Sequence, residues 1–80
     1  MTPAGVISEA LAILDACGLD RTQLKAATGP HEATISRGQP PSAVRATLSR
    51  RGVTWYVTGC GVRWKGTSRH AAAAKIASII

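Results

Sequence analysis

The apolar positions near the start of the chain fall at helical spacing. Residues 6–17 (VISEALAILDAC) set Val6, Ile7, Ala10, Leu11, Leu14 and Cys17 on one stripe, the i, i+3/i+4, i+7 pattern of an amphipathic helix. Ile13 broadens the stripe, Pro3 suits the first turn, and Gly18 suits the left-handed residue just past the end. Cys17 closes the stripe and is expected to be buried as a small hydrophobe. Asp20-Arg21-Thr22-Gln23 follows, an Asp-headed relative of the capping box. It predicts a short helix over 21–28 that stops at Gly29-Pro30, and a second short helix over about 31–37.

Gly38-Gln39-Pro40-Pro41 breaks the pattern again. Ser42 then caps a fourth helix, which Pro40 and Pro41 already begin on an alternative reading. In it Ala43, Val44, Thr47 and Leu48 face inward, while Arg45, Arg50 and Arg51 face out. Gly52 closes it. Residues 53–66 (VTWYVTGCGVRWKG) carry β-branched and aromatic residues on either side of Thr58-Gly59-Cys60-Gly61, and local propensity reads them as a β-hairpin. The tail from Ser68 is alanine-rich with Ile76, Ile79 and Ile80 near its end; it is either a docking helix or a partly disordered end.

Eighty residues are expected to form one domain with a thin stability margin, which such domains often widen by dimerising or binding a ligand. No basic patch leads into an apolar run at the N-terminus, and no stretch nears the roughly 20 apolar residues of a membrane span. The expectation is a soluble, intracellular protein with no membrane partner. Cys17 and Cys60 lack the spacing of a zinc or redox site, and a disulfide between them is not expected in a reducing compartment.

Charge changes the picture. Residues 1–32 hold all four acids (Glu9, Asp15, Asp20, Glu32) and only Arg21 and Lys25, a net of −2. Residues 33–80 hold no acid but carry Arg37, Arg45, Arg50, Arg51, Arg63, Lys65, Arg69 and Lys75, a net of +8. So one-sided a distribution points to an anionic partner, most commonly a nucleic-acid backbone. Catalytic chemistry finds no constellation. The four carboxylates are scattered, His31 and His70 have no partner at ligand spacing, and Gly59-Cys60-Gly61 lacks the lysine and hydroxyl of a phosphate loop. No enzyme, metal, cofactor or small-molecule substrate is expected.

The string from Gln23 to Arg37 reads as two short helices joined by a glycine turn. Leu24 and Ile35 would form their apolar contact, Gly29 would turn the backbone, and Thr34-Ile35-Ser36-Arg37 would end the second helix. With Pro40-Pro41-Ser42-Ala43-Val44, Arg51-Gly52-Val53 and Trp55-Tyr56-Val57-Thr58-Gly59, this resembles the lambda-repressor-like helix-turn-helix superfamily, in particular phage CI/Cro-type repressor domains. The resemblance covers residues 6 to about 61. Lys25, Thr28 and Pro30 depart from it, standing where the family has small or apolar residues.

The resemblance implies an all-α, five-helix domain over 1–66, with a short fifth helix at about 54–58 and a C-terminal helix or short hairpin after residue 59. Residues 67–80 would be a tail. It implies a transcription regulator in the cytoplasm of a bacterial host, reading operator DNA with the helix near 31–37. His31, Glu32, Ala33, Ser36 and Arg37 would meet bases; Arg21, Gln23, Thr34 and Arg45 would meet phosphates. His31 serves equally as a cap, Glu32 as a charge complementing the helix dipole, and Arg50 and Arg51 as a solvated face. Trp55 is expected in the core. Tyr56, Trp64, Ile76, Ile79 and Ile80 are expected at a homodimer interface, although Arg63-Trp64-Lys65 also reads as a wing touching DNA. Two rivals stand beside this reading. One is the same fold turned to binding and inhibiting a regulatory protein; the other is a single-strand or RNA binder, for which three aromatics make a poor stacking platform.

Overall fold

The computed structural model describes residues 2–38 and 43–80, with the backbone but not the side chain of Arg21. Helix α1 (Pro3–Ala16) begins where the sequence places it. Thr2 is the N-cap, its hydroxyl accepting from the Gly5 N–H, and Pro3 sits in the first turn. The helix ends in a Schellman motif: Gly18, at φ 85°, donates to Asp15 and Leu19 donates to Leu14. Cys17 is the C-cap and is exposed, not buried as expected.

Beyond α1 the all-α expectation is overturned. A single 3₁₀ turn (Arg21–Gln23) leads into β1 (Leu24–Thr28), β2 (Glu32–Arg37), β3 (Val44–Arg51), β4 (Thr54–Gly59) and β5 (Val62–Gly66), and helix α2 (Arg69–Ile79) closes the chain. The strands form one antiparallel meander in the order β1-β2-β3-β4-β5. This is an α+β fold, and the helices expected over 21–28, 31–37, 43–51 and 54–58 are absent. The supposed helix start at Pro40-Pro41-Ser42 lies outside the described residues.

The physical reason is an alternation of period two. In β3, Val44, Ala46 and Leu48 alternate with Arg45, Thr47 and Ser49, and in β5 Val62 and Trp64 alternate with Arg63 and Lys65. A strand sends alternate residues to opposite faces. The β-branched Thr28, Thr34, Ile35, Thr47, Val57 and Val62 favour a pleated surface. Segments of five to eight residues are also too short for helices that stand alone, whereas a meander shares its hydrogen bonds among neighbours. The β4–β5 hairpin turns through Cys60 and Gly61 at φ 48° and 79°, the pair of positive values a type I′ turn demands. The propensity reading of 53–66 as a hairpin therefore holds.

Both helices cover one face of the sheet. Val6, Ile7, Ala10 and Leu14 of α1, Ala72, Ala73 and Ile76 of α2, and Ile80 pack on Ala33, Ile35, Ala46, Leu48, Trp55 and Val57. Ala72 and Ala73 let α2 approach closely, and Ser68 caps its start by accepting from the Ala71 N–H. Of the two readings of the tail, the docking helix holds. Glu9 of α1 meets His70 of α2, placing a carboxylate at the N-terminal turn of α2, where the helix dipole favours it. Among the described residues no polar side chain is buried, and no helix is long and apolar enough to cross a membrane.

Candidate functional site

The helices leave the other face of the sheet uncovered, and the strand register fixes what stands there. Lys25, Ser36 and Arg45 form one cross-strand row; Ala27, Thr34, Thr47, Thr58 and Arg63 form the next. Glu32, Ser49, Tyr56 and Lys65 form the third, and Arg51 pairs with Thr54 at the end. Among the described residues this face thus carries five cations, Lys25, Arg45, Arg51, Arg63 and Lys65, against the single acid Glu32. Hydroxyls fill the ground between them.

The other acids lie away from this face. Glu9 and Asp15 are on α1, and Asp20 precedes the 3₁₀ turn. The Thr22 N–H donates to the Asp20 carboxylate at 3.0 Å; that backbone bond, with help from the Thr22 side chain, holds its pKa below the usual carboxylate range. The sheet concentrates the positive charge, with Lys25, Arg37, Arg45, Arg50, Arg51, Arg63 and Lys65 against Glu32, whereas in the helical layer Glu9 and Asp15 are balanced by Arg69 and Lys75.

The residues expected to read bases do not assemble. Because they form a strand, Ala33 is buried under the helices and Arg37 is half-buried on the same covered side, opposite Leu24 and Val44. Glu32 and Ser36 lie on the open face, while His31 sits in the β1–β2 loop, where its carbonyl accepts from the Arg50 N–H at 2.9 Å. No recognition helix exists to carry them.

Of the expected phosphate contacts, Thr34 and Arg45 stand on the open face. Gln23 is exposed in the 3₁₀ turn, its carbonyl accepting from the Gly38 N–H at 3.2 Å, and Arg21 lies in the same turn. Arg50 does not share a solvated face with Arg51. It is on the covered side, 5.2 Å over the Trp55 ring, with Nε donating to the Gly52 carbonyl at 2.9 Å.

The expected dimer surface is also dispersed. Ile76 and Ile80 are buried in the core of the chain itself, and Ile79 is half-buried beside it. Trp64 packs at the core margin with its indole across Gly66, and only Tyr56 belongs to the open face. The apolar tail on which a dimer rested is satisfied within one chain. Trp55 is in the core, as expected.

Local motifs single out neither Lys25, Thr47 and Thr58 nor the company kept by Arg51, Arg63 and Lys65. The alternation in 44–49 and 62–66 is the signal that finds Thr47, Arg63 and Lys65; Lys25, Arg51 and Thr58 join them only through the strand register. The open face is relieved by two clefts that share Tyr56 as a wall. One, of about 320 Å³, is lined by Tyr56, Thr58, Arg63, Trp64 and Lys65; the other, of about 230 Å³, by Ser49, Arg51 and Tyr56. A third lies at the β1–β2 hairpin, among Thr28, Gly29, Glu32 and Thr34. Among the described residues no cluster of three or more His, Cys, Asp or Glu is placed to hold a metal ion. No protein-family model matches this chain, and neither a curated protein nor a solved structure is significantly similar to it.

Proposed function

We propose that this chain is a nucleic-acid-binding module, not an enzyme, and that it meets a phosphate backbone with the open face of its sheet. The observation that carries the reading is the concentration of five cations and a field of hydroxyls on one face, with three of the four acids held elsewhere. Lysine, arginine, serine, threonine and tyrosine side chains are the usual partners of phosphate oxygens. A bacterial cytoplasm, the expected setting, supplies such a polyanion in quantity.

Operator reading by a helix is withdrawn with the fold that required it. Size also argues against major-groove readout by the whole face. Five strands at about 4.8 Å spacing span about 19 Å, wider than the roughly 12 Å of the major groove. The face is therefore assigned to backbone contact, which carries little sequence information.

The test is fluorescence anisotropy with a labelled duplex and a labelled single strand over a salt series, for the native chain and the triple variant Lys25→Gln/Arg45→Gln/Arg63→Gln. The native chain should bind with an affinity that falls steeply as salt rises. The triple variant should bind more weakly, with a salt slope shallower by about one for each phosphate it no longer meets, and with an unchanged circular dichroism spectrum. Absence of binding at low salt, or equal binding by the variant, overturns the reading. An acidic protein would then become the partner to seek, as in the inhibitor reading of the sequence.

A further inference from the structure

Of the three aromatic residues, Trp55 is buried beneath the helices, and Trp64, on the covered side by register and across Gly66, also contributes to the lining of the larger cleft. Tyr56 alone faces outward on the open side of the sheet. Its cross-strand neighbours are Ser49 on β3 and Lys65 on β5. Arg51 and Arg63 stand on its diagonals, at opposite ends along the strand, because Arg51 pairs with Thr54 and Arg63 with Thr58. Diagonal neighbours on one face of a sheet lie about 7–8 Å apart, within reach of long side chains. The clefts on either side of the tyrosine thus each contain at least one cation: Arg63 and Lys65 in the larger, Arg51 in the smaller.

We propose that Tyr56 is a stacking platform for an unpaired base, so that the preferred ligand of the open face is single-stranded nucleic acid. This rests on the reading of that face as a phosphate-binding surface and names its substrate class. The base lies in one of the clefts against the tyrosine ring, and the flanking phosphates are met by Arg63 and Lys65 on one side and by Arg51 on the other. A single strand is favoured over a duplex for two reasons. The face is too wide to enter a groove, and a paired base has both its faces covered by its neighbours, so it must be unstacked before a ring can meet it. Every base has a π-face, so the site tolerates any sequence. One platform serves one base or two, which answers the objection that three aromatics are too few: the remainder of the affinity comes from the cations.

The experiment compares three labelled ligands of equal length: an oligothymidine, the same strand with abasic sites, and a duplex. The native chain should bind the oligothymidine about tenfold more tightly than the abasic strand. Tyr56→Ala should remove that preference, so that the oligothymidine and the abasic strand bind alike, and Tyr56→Phe should retain it. Equal affinity of the native chain for oligothymidine and abasic strand overturns the stacking role, and this comparison needs no variant to fold. Loss of oligothymidine binding in Arg63→Gln but not in Tyr56→Ala leaves the phosphate-binding face standing and removes the platform. Failure of the native chain to bind any of the three ligands overturns the underlying reading itself.

Discussion

Ala33, Ile35, Ala46, Leu48, Trp55 and Val57 occupy the covered face of the sheet; their neighbours in the chain, Thr34, Ser36, Arg45, Thr47, Tyr56 and Thr58, occupy the open one. The two faces share every backbone hydrogen bond, and differ only in which side of the pleat a residue occupies. One set excludes water and holds α1 and α2. The other holds neither helix and carries most of the charge on the sheet. In an 80-residue protein this division has a consequence: residues on the open face are free of the core and are open to selection for a partner.

The sharpest contrast lies between adjacent residues of β3. Leu48 is fully buried and Thr47 is half-buried on the opposite face. Leu48→Ala is expected to lower stability by about 2–5 kcal/mol, a large share of the 5–15 kcal/mol typical of whole domains. Thr47→Ala is expected to change it by about 0.5 kcal/mol or less. Urea denaturation followed by circular dichroism measures both. Similar losses at the two positions would mean that the open face is packed against something, and the division would fail.

A smaller effect is expected where the faces are coupled. Gly59 lies on the covered side under α2. A methyl group placed on it would collide with the Arg45 carbonyl and come within 3.1 Å of the Ala46 Cα and 3.2 Å of Ile79 Cγ2. The first two obstacles are backbone, so Gly59→Ala must push β4 away from β3. The expected loss is about 1–3 kcal/mol, read by the same denaturation. Because Arg45 sits on the displaced strand, nucleic-acid affinity should weaken with it.

How much of this was legible in the sequence differs between the ends of the chain and its middle. Helix α1 has fourteen residues, a continuous stripe, a proline suited to its first turn and a stop glycine, signals that agree with one another. The middle consists of short segments in which two periods coexist. Val44, Thr47 and Leu48 satisfy helical spacing, while Val44, Ala46 and Leu48 satisfy a strand. Over eight residues neither excludes the other.

The resemblance to phage repressors favours helix throughout this region, against the hairpin that propensity gives for 53–66. The open face was illegible for the same reason. Its members lie on all five strands and meet only through register, so no local motif contains them. What was legible was the charge: a basic second half and an anionic partner follow from residue counts, whatever the fold.

The smallest expected effect concerns an acid that lies away from the open face. Three carboxylates lie off the open face, and Asp20 is held below the usual carboxylate range by the Thr22 N–H, with the Thr22 side chain adding to the effect. A lowered folded-state pKa means that the charged form is favoured in the folded chain. Its stabilisation is therefore present above the ordinary carboxylate range and is lost as pH falls through the lowered value. Asp20→Asn keeps an oxygen able to accept from the Thr22 N–H but removes the titration. The native chain should be slightly more stable than Asp20→Asn near neutral pH, and the difference should vanish in acid below the lowered value. Because Asp20 is fully exposed, the gap should be small, and affinity of the open face for nucleic acid should move little. A difference that persists in acid would mean that Asp20 acts by its shape and not by its charge, and a large change in nucleic-acid affinity would mean that the two sides of the molecule are not electrostatically separate.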